Sequence, residues 1–117
     1  MEKGQVLTNK IYEATAAGSF SRDFGLKDQL RRASISILSN IAEGFERGGD
    51  KEFLQFLAVA KGSCGEVRSQ LYIAVDQGYL TPDLSASLLN HAVEIGRMIA
   101  GLMKYLRNSE LKGSKYR

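Results

Sequence analysis

One proline, one cysteine and one histidine occur in 117 residues, and each shortage excludes something. A lone cysteine, Cys64, rules out an intramolecular disulfide and fits a reducing compartment. With so little proline and few β-strand signals, helical periodicity dominates the chain. The longest apolar run is FLAVA, Phe56 to Ala60, far below the ~20 residues a membrane helix requires. The opening MEKGQVLTNK lacks the apolar stretch of a secretory signal. A soluble, cytoplasmic chain with no membrane partner is therefore expected. One domain of this length buries roughly two-thirds of its unfolded surface and folds without disulfides or metal.

What is present reads as four helices, at about 2–17, 26–46, 51–77 and 82–107. Phe53, Leu57, Ala60, Cys64, Val67, Leu71 and Ala74 alternate spacings of four and three, and Leu88, Ala92, Ile95, Ile99, Leu102 and Leu106 do the same. Such spacing lets side chains interdigitate between nearly parallel helices. Helix one offers Leu7, Ile11 and Ala14 on one face before GSFSRDFG breaks it. Asp50 is the expected N-cap of helix three, and Gly78 its expected terminator. Thr81-Pro82-Asp83 opens helix four with a capping hydroxyl, a proline at the first position and an acid facing the dipole. Short connections join antiparallel neighbours. The fold class expected is all-α: an antiparallel up-down-up-down four-helix bundle over residues 1–109, with 110–117 as a basic C-terminal tail.

Helix two carries the least ordinary pattern. Leu26, Leu30, Ala33, Ile35, Ile37, Leu38, Ile41, Ala42 and Phe45 spread over about 200° of its wheel, roughly twice the apolar stripe of an ordinary surface helix. Ile35, Leu38 and Ala42 are thus candidate contacts between copies of the chain. On the opposite arc lie Arg32, Ser36, Ser39, Asn40, Glu43 and Arg47, rich in short polar groups that let a partner come close. A solvated face with a Glu43–Arg47 pair four residues apart accounts for the same letters. Interior glycines Gly62, Gly65, Gly96 and Gly101, each costing about 1 kcal/mol relative to alanine, imply close helix approach, within the bundle or between copies.

Charge is concentrated at one end. Lys104, Arg107, Lys112, Lys115 and Arg117 face Glu110 alone, so the last 14 residues hold +4 of a net +3. They are either a solubilising end or candidate contacts to nucleic-acid phosphates. Signs of an enzyme are weak. Leu88 stands three before His91, so the Glu-x-x-His pairs of a di-iron bundle are missing; His91 reads as a half-buried packing residue. Cys64 falls in the core stripe, RGGDKEF lacks the spacing of a phosphate-binding loop, and Glu43 with Glu46 is an ordinary surface pair. No catalytic residue, metal ligand or cofactor is expected.

The stretches QLRRASISILSNIAEGFERG, EFLQFLAVAKGSCGEV and QL…A…QGYL, in that order between residues 26 and 80, resemble the 23S rRNA-intervening-sequence protein family. Two departures stand out: the opening is short and lacks the tryptophan-containing start typical of that family, which bears on packing at one end of the bundle, and Ile37-Leu38 stands where many members have a proline after the isoleucine. The resemblance implies a ring, a homopentamer, associated with RNA or the ribosome and without catalytic residues. Two expectations follow: an oligomer that binds RNA or another nucleic acid, or an adaptor whose protein partner docks on the Arg32–Asn40–Arg47 face.

Overall fold

A computed structural model describes the backbone of residues 1–115 and the side chains of residues 1–109. Four helices make up the described residues: α1 (Glu2–Thr15), α2 (Phe24–Glu46), α3 (Asp50–Asp76) and α4 (Pro82–Lys115), with a short 3-10 turn at Gly18–Arg22. No strand occurs among the described residues. α2 packs on α1 and α3, and α4 on α3 and α1, in a body 58 Å long and about 20 Å across.

The α3 stripe is as expected: Leu57, Ala60, Cys64, Val67, Leu71 and Ala74 are buried, with Phe53 half-buried beside them. On α4, Leu88, Ala92, Ile95, Ile99 and Leu106 are buried, but Leu102 is 37% exposed and Met103 takes its place inside. The length of α1 explains this. Its Lys3 meets Glu94 on α4, and Gly4 lies under the Leu38 side chain on α2. Beyond that level nothing from α1 covers the bundle, so Leu102, Met98, Tyr105 and Phe45 stay exposed.

Helix ends differ from the sequence expectation in four places, the first being α1, which stops at Thr15 rather than near residue 17. α2 starts two residues early because Asp23 caps it: the Leu26 amide donates to Asp23 Oδ1 at 3.1 Å. Asp50 is the first residue of α3 rather than its cap; that position is Gly49, and Asp50 instead adds negative charge to the first turn. α4 does not end near Arg107 but continues to Lys115, so most of the segment assigned to a tail prolongs the helix. Elsewhere the signals hold. Gly78 adopts φ +75°, the Tyr79 amide donates to Ala74 O and the Gly78 amide to Val75 O, the paired bonds of a glycine-terminated helix. Leu84 N–H donates to Thr81 Oγ1 at 3.2 Å.

Both the α1–α2 and the α3–α4 connections lie at one end. Phe20, fully buried, stacks on Tyr79 with ring centroids 4.9 Å apart. The Tyr79 hydroxyl donates to Asp23 Oδ2 at 2.9 Å, and that bond holds the phenol above its ordinary pKa. One carboxylate therefore caps α2 and ties down the α3–α4 connection.

Candidate functional site

Helix α2 presents two distinct surfaces. Along the first, Leu30, Ala33 and Ile37 are buried in the bundle, whereas Ile35 is 41% exposed, Leu38 half-buried, Ala42 exposed and Phe45 70% exposed. Ile35, Leu38, Ala42 and Phe45 recur at spacings of three and four, so they line one side of the helix. α1 extends this surface with Met1 and Tyr12, both exposed, and the Arg31 guanidinium lies 4.2 Å from the Tyr12 ring centroid. Arg31 Nε also donates to the buried Thr15 hydroxyl at 2.8 Å. About a third of the apolar arc is thus left uncovered by the other three helices.

The second surface holds Arg32, Ser36, Ser39, Asn40, Glu43 and Arg47. Asn40 Nδ2 is turned back on its own helix, donating to Ser36 O at 2.8 Å and Ser36 Oγ at 3.0 Å. Ser63 of α3 donates to the same hydroxyl at 2.9 Å. Arg47 pairs with Glu43, Nη2 to Oε1 3.0 Å, with both side chains about half exposed, so the pair adds at most ~0.5 kcal/mol. Ser36 and Asn40 therefore belong to a polar α2–α3 seam, while Arg32, Ser39, Glu43 and Arg47 face outward. The seam opens into a cleft of about 290 Å³ lined by Gln29, Arg32, Ser36, Ser63, Glu66 and Gln70, among others. Gln70 Oε1 is buried beside it with no hydrogen-bond partner. The α3 residues of this cleft were not legible in advance, because Ser63 and Gln70 acquire a role only once α2 lies across them.

The glycines divide sharply. At Gly44 a Cβ would stand 2.7 Å from Phe56 Cβ and 2.9 Å from Phe53 Cδ1, so α2 and α3 come too close here for a larger residue. Gly62 and Gly101, read from sequence as signs of close packing, have nothing within 4 Å of a Cβ. Gly65 and Gly96 serve a different purpose: a Cβ on either would lie 3.8 Å from the Arg68 guanidinium, which rests across α3 and α4 between them.

Arg68 also lies close enough to Cys64 to act on its thiol. Burial pushes that pKa from 9.0 to about 11, and the Arg68 charge offsets part of the rise. A thiol so rarely ionised is a poor nucleophile or metal ligand. His91 is half-buried, its Nε2 3.1 Å from Lys10 Nζ. Among the described residues no three His, Cys, Asp or Glu side chains gather as a metal site, and no helix is long and apolar enough to cross a membrane. Lys104 and Arg107 are exposed on α4; the side chains of Lys112 and Lys115, and Arg117 altogether, lie outside the described residues.

Fold and surfaces together define an all-α, four-helix protein whose distinguishing features lie on helix faces rather than in a deep pocket. The chain belongs to the 23S rRNA-intervening sequence protein family, whose profile matches residues 1–101. It is similar to a protein of unknown function from the S23 ribosomal protein family of Bacteroides thetaiotaomicron VPI-5482, known from a crystal structure. Identity is 22%, the TM-score is 0.80, and the match covers 88% of this chain and 96% of that one. No curated protein matches the chain.

Proposed function

We propose that this protein is a non-catalytic, cytoplasmic homo-oligomer, a ring of five up-down-up-down bundles, that associates with RNA. The observation carrying this reading is the uncovered apolar face of α2, with Ile35, Leu38, Ala42 and Phe45 in one row. A row of that kind on a small domain is a surface for another protein chain, and a second copy is the simplest partner. The antiparallel order is supported by paired contacts: Thr15 with Arg31 and Gly4 with Leu38, then Ser36 with Ser63 and Gly44 with Phe56. In each pair of helices, moving forward along one means moving backward along the other. Association with RNA is supported by the family description and by a net charge of +3, which a ring would multiply.

The test is binding to a labelled RNA hairpin at 50 and 200 mM salt. Affinity is expected to fall at least tenfold between the two, because phosphate contacts release counterions. Absence of binding at 50 mM contradicts the reading.

A second reading, a protein-protein adaptor without nucleic-acid contact, is favoured by the polar α2–α3 cleft and its unsatisfied Gln70 oxygen. In that case a nuclease-resistant protein co-purifies with the chain, and Glu43→Arg or Asn40→Asp releases it while leaving the oligomer intact.

A further inference from the structure

The ion pairs found among the described residues are Lys3–Glu94 and Glu43–Arg47. Among the cations outside them, Lys61 and Arg68 on α3 and Arg97 and Lys104 on α4 stand out by their placement. Lys61, Gly65, Arg68 and Tyr72 follow one another at spacings of four, three and four, so they share one side of α3. Arg97, Ala100, Lys104 and Arg107, at three, four and three, share one side of α4. The Arg68 guanidinium fixes how these sides meet, since it lies against Gly65 of its own helix and Gly96 of α4, next to Arg97. Lys61 stands seven residues before Arg68 and Lys104 seven residues after Arg97, in each case two helical turns or about 10.5 Å. With α3 and α4 antiparallel, as proposed above, both displacements run the same way, and the four cations form two rungs along one groove.

We infer that this outer groove between α3 and α4, with Arg68 cradled by Gly65 and Gly96 and flanked by Lys61, Arg97 and Lys104, binds the phosphate backbone of a nucleic-acid strand.

Several features of the groove fit that ligand. A guanidinium has five donors and no acceptor, and here it is half-buried with no carboxylate to receive them. Glycine at 65 and 96 keeps side chains from standing between it and an incoming oxygen. Lys61, Arg97, Lys104 and Arg107 are all exposed, so their charges reach solvent along the length of the groove. The carboxylates nearest in sequence are placed elsewhere: Glu66 lines the cleft on the α2 side of α3, and Glu94 is taken by Lys3. Exposed Tyr72, one turn beyond Arg68, offers an aromatic ring on which an unpaired base can stack. A row of phosphates spaced along a strand matches such a row of cations; a single small anion would engage only one rung.

The inference rests on the RNA-binding reading and locates it. It differs from the sequence expectation by moving the contact from the chain's last residues to the body of the bundle, with Lys104 and Arg107 common to both. The experiment compares three proteins by fluorescence anisotropy on a labelled RNA hairpin across a salt series. These are the wild type, the groove variant Lys61→Gln/Arg97→Gln/Lys104→Gln, and the end variant Lys112→Gln/Lys115→Gln/Arg117→Gln. All the groove changes are at exposed positions, so folding is expected to survive, and circular dichroism checks it. Arg68→Lys serves as a fourth arm that keeps the charge and removes the planar donor fork. The groove variant is expected to bind at least tenfold more weakly, with a log-log salt slope reduced by about 2–3, while the end variant stays close to wild type and Arg68→Lys weakens binding several-fold. Loss in the end variant alone overturns the groove assignment but leaves RNA binding standing. Absence of binding by wild type at 50 mM salt removes both. Displacement of the hairpin by poly-glutamate as readily as by unlabelled RNA would assign the groove to an acidic protein and overturn the inference.

Discussion

Ile35→Lys combined with Ala42→Lys is expected to reduce the proposed oligomer to monomers. Both positions are exposed in the subunit, so a lysine at either can reach water and the bundle itself should keep its helicity and its unfolding midpoint at low concentration. Between copies the same ammonium groups must be desolvated against apolar surface or left at a gap. Loss of two apolar contacts plus the burial of uncompensated charge amounts to about 3 kcal/mol or more per contact, a weakening on the order of a hundredfold or greater. Sedimentation or light scattering at micromolar concentration reads the outcome directly. A variant that retains the wild-type mass would show that copies meet elsewhere, the exposed Leu102–Tyr105 end of α4 being the next surface to try.

The second large effect is inside the subunit. Gly44→Val should destabilise the fold by ~3 kcal/mol, because the new side chain would have to occupy space held by Phe56 Cβ, an atom fixed close to its own backbone. Moving it means separating α2 from α3 over the contact that includes Ser36–Ser63. Gly101→Ala is the matched control. It replaces an exposed glycine in mid-helix with nothing near the added methyl, and it should stabilise by about 1 kcal/mol. Thermal unfolding of the two variants at equal protein concentration, which removes any effect of the proposed assembly, should move the midpoint in opposite directions: down by roughly 10 °C for the first and up by a few degrees for the second. Similar shifts for both would mean that helix propensity alone, rather than close approach, sets the value of glycine at 44.

These two glycines illustrate what the sequence conveys and what it withholds. The stripes of α3 and most of α4, the Gly78 terminator and the Thr81-Pro82-Asp83 start depend on neighbours a few residues away, and they are legible. Gly44 is different. In SNIAEGFER it looks like part of a helix end, and its role depends on Phe53 and Phe56 in the next helix. Asp23 caps α2 through Leu26, a local signal inside GSFSRDFG that was passed over, whereas the bond of its second oxygen to Tyr79, 56 residues later, could not be read from the sequence. Leu102 fits the four-three pattern and still lies outside, because the pattern records a helix face but not where the covering helix stops. Gly65 and Gly96 read as signs of close packing; a Cβ at either would meet the guanidinium of Arg68, and at Gly96 also Cys64 Cβ of α3 at 3.9 Å. The interaction face was legible on α2 only; its continuation through Ser63, Glu66 and Gln70 requires α3 to be in place.

The proposed assembly depends on copies of the chain coming together over the open face of α2 and α1. Multi-angle light scattering of the purified protein over a range of concentrations tests that most directly. A mass near five times the 12.9 kDa of one chain, steady on dilution into the micromolar range, is the predicted result; a value of 12.9 kDa at every concentration would contradict it.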